Sequence, residues 1–314
     1  MSSLPLRSPS DARPGRASST PVARSGLGWG LLGVVAFSFT LPFTRVALGG
    51  LSPLFIGSAR AVVAATLAGA VLTLTRQSWP SRHQWVRLAV VAGGVVLGFP
   101  LLTTFALRTA PAIHGAVVIG LLPAATAVAA VIRGRERPPT RFWALSALGA
   151  LAAVGFASVQ SSSVGHLVWS DLLLLGAVCA AGVGYAEGGL LSRELGAWQT
   201  VSWALLGAAP LMLVLTLVSA AGEMPSATPV QWVAFGYLAA VSMYLGFFAW
   251  YRGLAVGPIA QVSQVQLVQP VLTIGWAALL LGEHLEAANL AGGLVVVACA
   301  ALAVRARYDR PPDT

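Results

Sequence analysis

Ten apolar runs, each about as long as a bilayer is thick, govern what this chain can become. A helix needs about 20 mostly apolar residues to cross the hydrocarbon core. Runs of that length occupy 28–49, 52–75, 84–106, 109–132, 141–160, 168–190, 198–220, 229–251, 255–281 and 286–305. The connections between them are short, so consecutive helices are expected to pack as antiparallel neighbours. Composition agrees: 57% of the 314 residues are hydrophobic and only 9% are charged, against about 25% charged in a soluble domain. The expected fold is therefore all-α and integral to the membrane, with ten transmembrane helices. Residues 1–26 are rich in Ser, Pro and Arg and lack apolar periodicity. They read as a disordered cytoplasmic tail rather than a signal peptide, and 307–314 as a second short cytoplasmic tail.

The net charge of +9 comes from 19 basic residues, all of them arginine. The absence of lysine excludes Schiff-base cofactor chemistry and a Walker A phosphate loop, each of which needs a lysine amine. With the N-terminus placed inside, sixteen of the 19 arginines fall in inside segments, Arg108 alone falls outside, and Arg45 and Arg60 lie within spans. That bias follows the positive-inside rule with both termini cytoplasmic, in a cell (inner or plasma) membrane. The charge is then an orientation device, and nucleic acid is not an expected partner. Cys179 and Cys299 each sit in an apolar run and say nothing of redox compartment.

The chain also repeats. Gln84-Trp85-Val86 returns as Gln231-Trp232-Val233, shifted by 147, and Leu97-Gly98-Phe99 returns as Leu245-Gly246-Phe247, shifted by 148. At the shift of 147, Leu107, Pro111, Pro123 and Glu136 match Leu254, Pro258, Pro270 and Glu283. The unit holds five helices, an odd number, so the second copy inserts upside down. The expected architecture is two inverted five-helix repeats, 27–160 and 165–306. The surroundings of Glu136 are basic, whereas Gly282-Glu283-His284-Leu285-Glu286 is acidic, as inversion requires. Inverted repeats with Pro- and Gly-interrupted helices are a transporter architecture, with a substrate site near the midplane.

Four stretches resemble a known family. They are Thr44-Arg45-Val46-Ala47-Leu48 leading to Leu51-Ser52-Pro53; Arg60; Glu136-Arg137-Pro138; and Gly282-Glu283 followed by Leu285 and Gly292-Gly293. Over roughly 28–305 the chain resembles the EamA-like branch of the drug/metabolite transporter superfamily. It departs from that pattern in Phe37-Ser38, where the family often shows Trp-Gly, and in Arg135, which replaces a Gly before Glu136. The resemblance implies secondary transport, often efflux, of amino acids or other small metabolites.

Several polar residues inside the spans are candidates for the work. Arg60 lies about two turns into the second span. An arginine there costs about 2.5–3.5 kcal/mol unless it faces the interior and finds an acceptor. Its fork suits a substrate carboxylate or phosphate; a structural ion pair or carbonyl clamp between helices is the alternative. In the ninth span Gln261, Gln264, Gln266 and Gln269 spread over roughly 200° of helix surface, too broad an arc to face lipid. Gln266 and Gln269, nearest the midplane, are expected at the substrate site, with Gln261 and Gln264 as inter-helix glue. Tyr185, Tyr244 and Trp250 are candidates to stack on or hydrogen-bond a ligand.

Glu187 is the carboxylate set well inside a span, and His114 lies about one turn inside the fourth. Both are expected in proton coupling or gating, Glu187 alternatively in a salt bridge to Arg193 or Arg252. Trp29, Trp85, Trp143, Trp169 and Trp232 suit interfacial belts, and Arg45 can snorkel outward. Glu136 and Glu283, at helix ends, read as structural. No catalytic residue, metal or cofactor is expected. A membrane enzyme acting on lipids would want clustered carboxylates, and Asp171 and Glu187 stand about 24 Å apart along one helix. A non-transporting sensor would leave the glutamine-rich span without a purpose. The partners expected are a small-molecule substrate, the lipid bilayer and protons, and a homodimer is left open.

Overall fold

The computed structural model describes residues 21–134 and 168–283, with isolated helical positions between 140 and 151 and between 287 and 302. Every regular element among the described residues is helical. Eight helices are long and apolar enough to cross a membrane: α1 (Ser25–Ala47), α2 (Pro53–Leu74), α3 (Arg82–Ala106), α4 (Ala112–Gly134), α5 (Trp169–Leu195), α6 (Ala197–Gly222), α7 (Pro229–Val256) and α8 (Ile259–Leu281). They correspond to eight of the ten predicted spans. The remaining two, 141–160 and 286–305, lie largely outside the described residues, as does Glu136.

Local chemistry explains where these helices start. Ser52 accepts from Phe55 N at 3.3 Å, and Pro53 takes the first helical position, where an amide would have no partner anyway. Ser81 and Gln84 form a capping box, and Thr228 and Gln231 form another. The repeated glutamine of the Gln-Trp-Val signature is therefore the side chain that reaches back to satisfy the first free amide of α3 and of α7.

Local chemistry also explains where the helices break, and the breaks recur. α3 relaxes into π-helical turns over Ala92–Gly98, and α7 does so over Leu238–Leu245. α4 is interrupted at Gly120 and Leu121 ahead of Pro123, and α8 passes through a 3₁₀ turn, Ser263–Leu267, ahead of Pro270. α1 breaks at Phe39, three residues before Pro42. A proline lacks the amide that would bond four residues back, so Pro42 frees the Ser38 carbonyl. Thr273 Oγ1 of α8 donates to that carbonyl at 2.8 Å, and Trp276 Nε1 donates to Ser38 Oγ at 3.1 Å.

The most extensive packing is α2 on α6, α1 on α7, α4 on α5 and α3 on α5. Small residues let the backbones approach. A Cβ added at Gly33 would stand 3.0 Å from Trp250 backbone atoms, and one at Gly94 would stand 2.8 Å from Cα of Gly184. Large apolar side chains such as Leu74, Ile132, Val233 and Leu279 are more than two-thirds exposed, a surface that only lipid can cover without penalty. Trp29, Trp169 and Trp232 are exposed, in keeping with belt positions. Trp85 instead joins Trp79 and Trp203 in an aromatic cluster.

Candidate functional site

Six helices converge on a small interior cavity. α1 supplies Phe37 and Thr40, α2 supplies Arg60, α3 supplies Val95, Phe99 and Pro100, and α5 supplies Tyr185. α7 supplies Ser242, Met243 and Phe247, and α8 supplies Gln269. The cavity measures about 20 Å³, room for a single water. The aromatic rings interlock: Phe37 and Phe247 have centroids 5.0 Å apart, and Tyr185 and Trp250 5.3 Å.

Arg60 dominates the electrostatics. Its side chain is 1% exposed, on a stretch of α2 where Ala59, Ala61 and Ala64 are buried as well. Nε and Nη2 are buried and have no hydrogen-bond partner among the described residues. Of the two alternatives raised by the sequence, neither an ion pair nor a carbonyl clamp is present there. A buried unpaired charge costs several kcal/mol, far more than packing gaps of this size recover.

Gln264, expected to bond between helices, bonds within its own instead. Gln264 Nε2 donates to Ala260 O of its own helix at 3.3 Å. The amide O and N of Gln266, the amide O of Gln269 and Trp250 Nε1 are all buried without a partner, and Tyr185 adjoins Gln266. Native interiors leave few such atoms unsatisfied, and Gln269 shares the cavity wall with Arg60. Tyr244 is not brought to the cavity: its hydroxyl pairs with Ser202 Oγ at 3.0 Å, tying α7 to α6. Trp250, the third aromatic candidate, packs its ring on Tyr185, a residue of the cavity wall. Tyr251 was overlooked in the sequence; its hydroxyl donates to Gly184 O at 3.3 Å, over Gly188, where a Cβ would collide with the ring.

Glu187 is 1% exposed and takes Arg87 Nε on one carboxylate oxygen and Arg133 Nε, at 2.8 Å, on the other. Arg87 pairs with Glu194 as well. The expected partners, Arg193 and Arg252, are thus replaced. The reason is that α5 runs on to Leu195 rather than ending near residue 190. Six residues of helix set Arg193 about 120° around the helix from Glu187, and Arg193 donates instead to the Gly257 carbonyl at 3.0 Å. The cluster clasps α3, α4 and α5 together.

At the opposite ends of these helices, His114 Nε2 and Asp171 Oδ1 lie 2.6 Å apart, joining α4 to α5. Beside them the Glu283 carboxylate accepts from Ala112 N and Ile113 N, both at 3.0 Å. Glu283 therefore caps the positive N-terminus of α4 from beyond the end of α8, a contact across the two repeats that its place in a turn did not reveal. Arg45 Nη1 donates to Leu107 O at 2.7 Å, so its head is anchored on the α3 terminus and not left in solvent.

The comparisons with known proteins follow the same two-part division. The model of the EamA-like transporter family matches twice, over residues 24–158 and 168–305. A Bacillus subtilis (strain 168) protein named "Uncharacterized transporter YdeK" is 44% identical over 288 residues, 88% of this chain and 97% of the relative. A solved crystal structure, 18% identical, superposes with a TM-score of 0.67 over 91% of this chain and 98% of its own, a likeness of fold. The chain is a multi-pass membrane protein that belongs to the EamA-like transporter family.

Proposed function

We propose that this transporter works by alternating access, moving small carboxylate-bearing metabolites, amino acids or related compounds, outward across the cell membrane. The observation that carries this reading is Arg60: a buried guanidinium with open donors, on a cavity built by helices of both repeats. A fixed fork of N–H groups binds a carboxylate bidentately, and the unpartnered amide oxygen of Gln269 on the same wall offers a further contact. The cavity admits only a water, so substrate entry requires helices to separate. The recurring π turns and proline breaks, offset by the length of one repeat, are where such bending is easiest.

In this reading the two halves are inverted copies of five helices each and both termini are cytoplasmic. The Arg87–Glu187–Arg133 cluster closes the cytoplasmic side, and the His114–Asp171 pair with the Glu283 cap closes the other. Glu187 and His114 act first as gates; exchange of a proton at either, when its gate opens, would couple flux to a pH gradient. The test is flux of carboxylate metabolites into liposomes holding the purified protein under an imposed pH gradient. Arg60→Gln is expected to lower flux at least about tenfold, equivalent to 1.4 kcal/mol of lost interaction. Flux no faster than in empty liposomes for every metabolite tried would overturn the transport reading.

A further inference from the structure

The cavity constrains the charge of its occupant as well as its presence. Among the described residues that line it, Arg60 carries the single charge, and no carboxylate shares the wall. The Thr40 and Ser242 hydroxyls already face one another at 2.7 Å. Buried on this wall without a partner are two donor atoms, Nε and Nη2 of Arg60, and one neutral acceptor, Gln269 Oε1. A ligand that completes the set brings one carboxylate for the guanidinium and one O–H or N–H for the glutamine.

Amino acids and 2-hydroxy acids both offer that pattern, and they differ in total charge. A zwitterion brings an ammonium with its carboxylate, so ligand and site together keep one positive charge in a low-dielectric interior with no acidic residue to receive it. A hydroxy acid leaves the sum at zero and still presents a donor to Gln269. Burying net charge is far costlier than losing one neutral hydrogen bond. We propose that the Arg60 site selects net monoanions, carboxylates without a free ammonium, over zwitterions of the same shape. This rests on the assignment of Arg60 as the substrate site and narrows it to a charge class.

The experiment compares isosteric pairs on the full-length protein: lactate with alanine, and 3-phenyllactate with phenylalanine. Binding is read as ligand-dependent thermal stabilisation in detergent, then as counterflow in liposomes at neutral pH. In the wild-type protein the hydroxy acid of at least one pair is expected to bind about tenfold tighter or better, and Arg60→Gln is expected to erase the difference. Equal or tighter binding of the amino acids overturns the charge rule. If that binding is nevertheless lost in Arg60→Gln, the site assignment survives and only the selectivity falls. A preference that persists in a folded Arg60→Gln protein overturns both. Failure of all four compounds to bind overturns the inference too. Should Arg60→Gln not fold, the wild-type comparison decides selectivity alone, and Arg60→Lys, which keeps the charge without the fork, is expected to retain the preference with weaker binding.

Discussion

Arg60 and Glu187 are both buried charges placed within spans, yet they differ in what they lack. Glu187 has two guanidiniums, and Arg60 has none among the described residues. Removing one member of a buried pair strands the other, at about 3–5 kcal/mol, whereas a solvent-exposed partner contributes about 0–1 kcal/mol. Arg133 is 52% exposed and Arg87 13%. Melting temperatures in detergent should therefore fall most for Glu187→Gln, less for Arg87→Gln and least for Arg133→Gln. A larger loss at Arg133 than at Arg87 would refute this ranking. That both residues are special could be read from the sequence, because a charge inside an apolar run always needs an explanation. The partners of Glu187 could not, since they depend on α5 continuing beyond its apolar run to Leu195.

Prolines define the elements more than their apolar runs do. The Ser38 carbonyl, released by Pro42, is taken by Thr273, so a side chain of α8 completes the backbone of α1. Thr273→Val should cost about 1–3 kcal/mol, the loss expected when a buried acceptor is left unsatisfied. In a Pro42→Ala background the restored amide can bond Ser38 itself, and the cost of Thr273→Val should shrink. A double-mutant cycle read by unfolding measures the coupling, and strict additivity would show that the two residues do not share that carbonyl. The eight described spans were legible because length and apolar character suffice to specify them, whereas proline alone does not specify a break, since Pro210 lies inside the continuous α6. The π turns of α3 and α7 were not legible, as AGGVVLG in the one and LAAVSMYL in the other share no residue signature. Likewise Gln84 and Gln231 were visible as a repeat while their capping role stayed hidden until the backbone amides were placed.

At the scale of the whole molecule, the clasps at opposite ends of the bundle should bias a single equilibrium in opposite directions. A reporter cysteine at Thr40, with Cys179 and Cys299 replaced by alanine, tests this with membrane-impermeant maleimide applied from either side. Glu187→Gln should raise labelling from the face bearing Arg87, and Glu283→Gln should raise it from the opposite face. A shift of about 1.4 kcal/mol in either equilibrium is a tenfold change in the exposed population, which labelling rates resolve readily. Labelling that rises from the same face in both variants would remove the two-gate picture.

The helix pairs that pack most closely, α1 with α7, α3 with α5 and α2 with α6, each join a helix of one repeat to a helix of the other. At Gly33 against Trp250 and at Gly94 against Gly184 they meet backbone to backbone. The boundary between the two family matches is therefore not a line along which the packed helices can come apart. Sequence divides the chain near the middle of its length, while packing binds each early helix to a late one. In the proposed alternating-access cycle the parts that move against each other must be mixed bundles, and neither repeat, expressed alone, would contain a complete moving part.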